Sequence, residues 1–103
     1  MKYNIIYTDK AKDNLRKISD YIISNTNDKS VASNFILEIE KQVNVLEEFP
    51  FSGFYPKNRP LRGLGYRYLV YKEYLIFYIV KDKDVYISTV INSKLDYYRY
   101  NKF

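Results

Sequence analysis

The side chains that could do chemistry lie between Leu61 and the C-terminus, and they are cations and phenols. The chain has 103 residues, among them 13 tyrosines, but it has no His and no Cys. Imidazole acid–base groups and thiolate nucleophiles are therefore excluded. Tyr and Lys transfer protons poorly near neutral pH unless their pKa values are strongly shifted. The candidate contact residues are Arg62, Arg67, Lys94, Tyr97, Tyr98 and Arg99.

Positive charge is concentrated in the same half of the chain. The net charge is +5, and residues 50–103 hold ten Lys and Arg against four Asp and Glu, together with ten of the tyrosines. A surface that mixes cations with aromatic rings suits a polyanion, because cations neutralise phosphates and every base offers a face for stacking. A basic face that is merely solvated, with tyrosines filling strands, has the same composition. Both interpretations stay open.

The individual residues leave similar alternatives. Arg67 either contacts a target or lies over the sheet edge and pairs with a carboxylate, and Arg62 in a loop could be merely solvated. Asp96 is expected to cap the C-terminal segment or to pair with Arg67 or Lys94. The C-terminal aromatic residues either fold back on the sheet or dock on a partner; they are Tyr97, Tyr98, Tyr100 and Phe103.

Two helices are predicted in the first half of the chain. A short strand is expected over residues 3–7, and Thr8 then stands where a helix N-cap belongs, with Asp9 in the first turn. A second helix is expected to begin near Ser30. The polar residues 24–28 between the two helices predict an antiparallel helical hairpin. Helical spacing predicts buried faces made of Ala11, Leu15, Ile18 and Ile22 and of Ala32, Phe35, Ile39, Val43 and Leu46.

Three strands are predicted near residues 66–71, 74–81 and 84–91, with turns at residues 72–73 and 82–83. Residues 74–80 are apolar on both faces, which places that strand centrally. The last strand alternates, which indicates burial mainly on one face. Residues 50–63 contain several Pro and Gly residues and are predicted as a long loop. The expected core is Leu15, Ile18, Ile22, Phe35, Ile39, Val43, Ile76, Tyr78 and Ile87.

These elements predict a single α+β domain over residues 1–103. Their order is β-α-α-β-β-β, with an antiparallel twisted sheet and the N-terminal helical hairpin packed on one face. The longest apolar run has seven residues, whereas a membrane-spanning helix needs about 20. No signal peptide is visible at the N-terminus, and the absence of Cys fits a reducing compartment. We therefore expect a cytoplasmic protein with no membrane partner, no cofactor and no metal.

Several short segments occur in a recognisable order along almost the whole chain. They are the first helix over residues 13–22, Leu46–Pro50 followed by Gly53, Leu61–Arg62, Gly65–Arg67, Tyr74–Tyr78, Val85–Ile87 and Asp96–Tyr97. In this order and spacing the chain resembles the RelE/ParE superfamily of bacterial toxins from type II toxin–antitoxin modules. The resemblance implies a small toxin that a cognate antitoxin holds inactive and that arrests growth when the antitoxin is degraded. We expect that antitoxin to be an acidic protein.

The resemblance does not choose the target, because the superfamily divides. RelE-like members cut mRNA on the ribosome, whereas ParE-like members poison DNA gyrase and are not known as nucleases. RelE-like nucleases usually carry an Arg in the central strand, where this chain has Leu75. An isobutyl group cannot stabilise the charge of a phosphorane-like transition state as a guanidinium can. Asn92 lies where some relatives place a His, whereas Arg67 lies on or beside a position that RelE-like nucleases keep basic.

Three hypotheses follow from this comparison. The favoured one is a ParE-like, non-nucleolytic inhibitor of DNA gyrase. The alternative is a RelE-like, ribosome-dependent mRNA endoribonuclease with a rearranged site, and the third is a structural relative that only binds an antitoxin-like peptide. A nuclease would have to use Arg67, Lys94, Tyr97 and Tyr98. A gyrase inhibitor would use Arg67 and the C-terminal segment as binding determinants.

Overall fold

The computed structural model describes residues 2–94. The predictions for Asp96, Tyr97, Tyr98, Arg99, Tyr100 and Phe103 therefore lie outside the described residues. The α+β fold class is confirmed, with a helical hairpin that precedes three consecutive strands. The elements are β1 (Asn4–Tyr7), α1 (Asp9–Thr26), α2 (Lys29–Asn44), a 3-10 turn (Val45–Glu47), α3 (Arg59–Gly63), β2 (Tyr66–Tyr71), β3 (Tyr74–Lys81) and β4 (Asp84–Asn92).

Side-chain caps start both long helices. The Thr8 hydroxyl accepts a hydrogen bond of 3.1 Å from the backbone nitrogen of Ala11, as its position in the sequence predicts. The Asp28 carboxylate accepts one of 2.9 Å from the backbone nitrogen of Ser30, so α2 begins one residue before the predicted start. Between the helices Asn27 has a left-handed φ of 54°, a conformation that Asn tolerates better than most residues. The chain reverses there, and the two helices pack against each other.

The four strands form a mixed sheet in the order β1-β4-β3-β2. Tight turns join β2 to β3 and β3 to β4 as antiparallel neighbours, as predicted. β1 instead runs parallel to β4, so the expected antiparallel sheet is correct for three strands and not for β1. A tight turn permits only antiparallel pairing, whereas the helical hairpin after β1 carries the chain across the sheet and allows parallel pairing.

Strand β4 is buried on both faces, although its alternating sequence predicted burial mainly on one. It lies between β1 and β3, so it has no free edge. Val85 and Ile87 face the helices, Thr89 and Ile91 face the other side, and all four are buried. Ser88 has no register partner in β3, and this bulge lies in the middle of the strand. Burial on both faces follows from the central position.

The core between the helical hairpin and the sheet is the one that the sequence predicted. Every predicted core residue belongs to this cluster or packs against it as a partly buried neighbour. Ile39, Ile76, Tyr78 and Ile87 have no exposed surface. No helix among the described residues is long and apolar enough to cross a membrane.

The segment between α2 and β2 packs against the sheet face opposite the helices, which we call the far face. The sequence predicted a loop here, but the segment also contains α3. The Asn58 side chain caps this helix by accepting a hydrogen bond of 3.0 Å from the backbone nitrogen of Leu61. Pro60 lies in the first turn, where a missing N–H costs nothing. The far-face cluster contains Leu61, Leu75, Phe77 and Ile91.

Candidate functional site

Leu75 lies in the apolar cluster of the far face. Its side chain is only 8% exposed and packs with Leu61 of α3 and with Phe77 and Ile91 of the sheet. The position at which RelE-like nucleases usually carry an Arg is therefore part of a small hydrophobic core. A phosphate placed there would meet hydrocarbon, which cannot stabilise additional negative charge.

Arg67 is held by the loop that precedes α3. Its Nη1 donates hydrogen bonds to the backbone oxygens of Phe51 and Gly53, at 2.9 and 3.2 Å, and its Nη2 donates to the Tyr55 hydroxyl at 2.6 Å. The guanidinium also lies 4.1 Å from the centroid of the Tyr55 ring and 5.4 Å from that of Phe51. Within residues 2–94 its partners are carbonyl oxygens, a phenol and two rings; the expected pairing with Asp96 lies outside the described residues.

Tyr78 fastens the same loop from the core side. Its hydroxyl accepts a hydrogen bond of 2.9 Å from the backbone nitrogen of Gly53. A Cβ at Gly53 would lie 2.5 Å from that hydroxyl oxygen, so only Gly permits this approach. Burial raises the pKa of Tyr78, against smaller opposing effects of the Gly53 hydrogen bond and of Arg67. Tyr78 is therefore a neutral structural phenol at physiological pH and not a proton-transfer group.

The loop fastened in this way is rich in aromatic side chains that face solvent. We call residues 49–55 the aromatic loop. Phe51, Phe54 and Tyr55 are 56%, 61% and 59% exposed, and Phe49 is similarly exposed. Phe54 pairs with Tyr68 as an isolated bridge beyond the edge of β2. Large exposed apolar groups in a well-fixed segment are typical of interaction surfaces.

The charged residues that follow the aromatic loop, up to residue 72, are all cations, whereas Glu47 and Glu48 directly precede it. Residues 49–72 contain five cations and neither Asp nor Glu. The ion pairs within residues 2–94 lie instead on α1 and α2, for example between Asp13 and Arg16 and between Glu38 and Lys41. Those pairs neutralise charge on the helical hairpin locally, whereas residues 49–72 have an excess of positive charge. The five cations are Lys57, Arg59, Arg62, Arg67 and Lys72.

Those predicted site residues that lie within residues 2–94 do not form one cluster. Arg62 is exposed on α3, near the start of β2 and therefore near the end of the sheet that carries Arg67. Lys94 is exposed just after β4, where the backbone nitrogen of Ser93 bonds to the oxygen of Glu73. Arg67 pairs with Tyr78 in the sheet, so about five residues of β3, or about 15 Å along the strand, separate it from Lys94. The described residues thus do not bring the two candidate nuclease cations together.

Asn92 has a structural role at the end of β4. Its side-chain oxygen accepts a hydrogen bond of 2.9 Å from the backbone nitrogen of Lys94. This contact terminates the strand as an Asx turn. The residue at the position where some relatives place a His therefore fixes the turn just after β4, and an amide cannot transfer protons.

Two cavities were not predicted from the sequence. A cavity of about 300 Å³ on the far face is lined by Thr8, Tyr66, Ile79, Lys81, Tyr86 and Ser88. The sheet register explains it, because Tyr66 and Tyr86 both pair with Ile79 from opposite sides. A second cavity of about 370 Å³ lies between the helical hairpin and the β2–β3 turn. Lys72 borders it, with Nζ 5.8 Å from the ring centroid of Phe35.

The described residues contain no group of His, Cys, Asp or Glu side chains that could hold a metal ion. The cavity on the far face offers phenols, hydroxyls and one ammonium group, which bind anions or polar groups but do not form a usual metal site.

Comparison with known proteins identifies the family of this chain. A family model described as the ParE toxin of type II toxin–antitoxin systems, parDE, matches residues 5–97. A solved structure described as the chromosomal ParDE toxin–antitoxin system from P. aeruginosa superposes with a TM-score of 0.74 at 20% sequence identity. That match covers 88% of this chain and 96% of the other, and at this identity it shows the fold alone. The search of curated proteins found no match.

Proposed function

The chain belongs to the family of ParE toxins of type II toxin–antitoxin systems, and from that premise we propose that it inhibits DNA gyrase without cutting nucleic acid. The observation that carries the proposal is the burial of Leu75 in the apolar cluster of the far face. A nuclease that cleaves RNA must stabilise an additional negative charge in its transition state, and this position supplies no cation.

The hydrogen bonds that the Arg67 guanidinium makes support the same proposal. A transition-state cation should be free to meet a phosphate, whereas the Arg67 guanidinium is already hydrogen bonded to two carbonyl oxygens and a phenol. Displacing it would leave those oxygens without their donor. The chain has no His that could act as an acid or base in its place. Binding to a protein target does not require such groups.

A cognate antitoxin is the partner that family membership implies, and we propose that it is acidic. Its complement on this chain is the region of residues 49–72, which has five cations and no acidic side chain. An extended acidic segment that becomes ordered on binding would gain from this charge. Because gyrase lies in the cytoplasm, we propose that the toxin acts there.

A second candidate function, ribosome-dependent mRNA cleavage, is favoured by one observation. Tyr66, Tyr86 and Lys81 all line the far-face cavity of about 300 Å³. Phenol and ammonium groups could orient a phosphate and stack a base. Each would nevertheless need a strongly shifted pKa to transfer a proton at neutral pH.

The two candidates predict different changes in a cell. We expect brief induction of the toxin to change the topology of a reporter plasmid, because inhibited gyrase no longer introduces negative supercoils. Mapping of mRNA 5′ ends in the same culture should show no new cleavage within translated codons. Co-expression of the antitoxin should restore both growth and supercoiling. New ends within codons, with plasmid topology unchanged, would instead establish the nuclease function.

A further inference from the structure

The aromatic loop combines two properties that favour a role in binding. Its backbone is fixed to the sheet, yet its large side chains face solvent. Phe54 and Tyr68 exchange two backbone hydrogen bonds of 2.8 and 2.9 Å. Tyr78 holds the backbone nitrogen of Gly53, and Arg67 holds the backbone oxygens of Phe51 and Gly53. The loop is therefore preformed and not a flexible connection.

Fixed aromatic side chains are efficient anchors for a protein partner. Each ring offers a large apolar area, and a ring on a preformed backbone loses little conformational entropy when it is buried. Aromatic and Arg side chains dominate the residues whose truncation most weakens protein complexes. Phe51, Phe54 and Tyr55 each leave more than half of their surface accessible. Phe51 and Tyr55 lie beside Arg67, whereas Phe54 lies against Tyr68 on the other face of β2. A partner would therefore meet these rings along the edge of the sheet.

The surrounding charges define the chemistry of the partner. Lys57, Arg59 and Arg62 are exposed next to the loop, and no acidic side chain occurs between residues 49 and 72. An acidic surface with apolar pockets complements this arrangement.

A protein surface fits the loop better than a nucleic-acid strand does. One face of the Tyr55 ring is occupied by Arg67 at 4.1 Å. The Phe54 ring lies against Tyr68, with centroids 5.6 Å apart. Ring edges and single faces remain accessible, which suits insertion into an apolar pocket more than stacking of successive bases.

We propose that the aromatic loop is the surface with which the toxin docks on an acidic, apolar-pocketed surface of its protein target. Arg67 is then a positioning residue, because it acts through the loop and does not contact the target. This inference rests on the proposed function, since it specifies where the toxin meets gyrase. It also assigns a role to Phe51, Phe54 and Tyr55, which the sequence analysis did not select.

The docking surface is tested with purified wild-type toxin, Phe54→Ser and the control Leu37→Ser in a gyrase supercoiling titration. Phe54 is 61% exposed and Leu37, on α2, is 54% exposed, so both variants remove an exposed apolar group without opening the core. We expect half-inhibition to require at least about tenfold more Phe54→Ser toxin than wild-type toxin. Leu37→Ser should match wild type. If wild type itself does not inhibit gyrase, the proposed function fails. If wild type inhibits and Phe54→Ser inhibits equally well, only the docking inference fails.

The class of partner is tested with the same variants in direct binding experiments. Wild type should bind gyrase, and Phe54→Ser should bind it more weakly. The two proteins should bind a short single-stranded RNA with the same affinity. If Phe54→Ser loses affinity for that RNA while binding to gyrase is unchanged, the loop is a nucleic-acid surface and the inference is wrong.

The positioning role of Arg67 is tested by a double-mutant cycle with Arg67→Met and Phe54→Ser. If Arg67 acts through the loop, the double variant should inhibit gyrase nearly as well as Arg67→Met alone, because Arg67→Met has already displaced the loop that carries Phe54. Hydrogen exchange at the Phe54 amide should also accelerate in Arg67→Met. Two independent losses that multiply, to about a hundredfold, would mean that Arg67 contacts the target itself. Unchanged exchange at Phe54 would likewise overturn the positioning role.

Discussion

The hydroxyl oxygen of Tyr78 lies 2.9 Å from the backbone nitrogen of Gly53, and this contact joins the aromatic loop to the core. Tyr78 has no exposed surface, so the core holds its side chain in place and the hydrogen bond fixes the loop to it. The conformation of the aromatic loop therefore depends on packing beneath the sheet as well as on Arg67 at its surface.

Gly53→Ala should destabilise the protein because its new Cβ would lie 2.5 Å from the Tyr78 hydroxyl oxygen and 3.0 Å from the Tyr68 carbonyl oxygen. We expect a loss of about 1–3 kcal/mol in the free energy of unfolding, measured by urea denaturation. Gly63→Ala is the matched control, since no atom lies within 4 Å of its added Cβ. Equal stability of the two variants would show that the close approach at Gly53 is wrong.

Ile39→Ala should destabilise the core by about 2–5 kcal/mol, through lost transfer free energy and the cavity that remains. Ile39 has no exposed surface, whereas its neighbour Leu37 on the same helix is 54% exposed. Leu37→Ala should therefore change the free energy of unfolding by no more than about 0.5 kcal/mol. A loss well under 1 kcal/mol at Ile39 would contradict the assigned face of α2.

Tyr7 should make stability fall in strongly alkaline solution. Burial, with a smaller contribution from the charge of Glu40, raises the pKa of Tyr7 from 10.0 to about 12. The unfolded chain therefore loses this proton first, and the stabilisation that is complete below pH 10 is lost as the pH rises towards 12. The effect is at most about 1.4 kcal/mol per pH unit in that window.

Tyr7→Phe is the variant that isolates this effect. The Tyr7 hydroxyl is buried with no hydrogen-bond partner among residues 2–94, so removing it at pH 7 should be neutral or slightly stabilising. Between pH 10 and 12 the variant should lose stability less steeply than wild type. Some dependence should remain, because burial also raises the pKa values of Tyr74 and Tyr78. Identical alkaline denaturation curves would argue against the shift at Tyr7.

Association with the acidic antitoxin should slow as salt is added, since ions screen the attraction beyond about 10 Å at 0.1 M. Stopped-flow rates for Arg62→Gln should fall less steeply with salt than those of wild type. Arg16→Gln removes the same charge from α1, where Arg16 already pairs with Asp13 and Asp20, and should change the slope less. An association rate that does not respond to salt would contradict the charge argument.

The hairpins and the helical faces could be predicted because their signals are local. The predicted strands 66–71 and 74–81 have the observed bounds, and the last one ends a residue later than predicted. Lys72 and Asp82 take left-handed φ values of 52° and 55° in the two turns that the sequence indicated. The parallel pairing of β1 could not be predicted in the same way, because the chain segments that meet there are about 80 residues apart.

The environment of Arg67 shows where the sequence stops being informative about the site. Its hydrogen bonds go to backbone oxygens of Phe51 and Gly53. Every residue has a backbone carbonyl oxygen, so the sequence does not indicate which one accepts. The sequence therefore suggested a carboxylate partner or an exposed target contact. The cavity between Tyr66 and Tyr86 was missed because it depends on the register of three strands. An alternating pattern alone does not specify that register.

The most direct test of the central claim is a parallel titration of one toxin preparation into two purified systems. One is DNA gyrase with relaxed plasmid, read as supercoiling, and the other is a ribosome carrying defined mRNA, read as cleavage. Because Leu75 is buried in hydrocarbon and Arg67 is held by the aromatic loop, we predict that supercoiling is inhibited and that mRNA stays intact. Rapid cleavage of the ribosome-bound mRNA, with supercoiling untouched, would contradict this account.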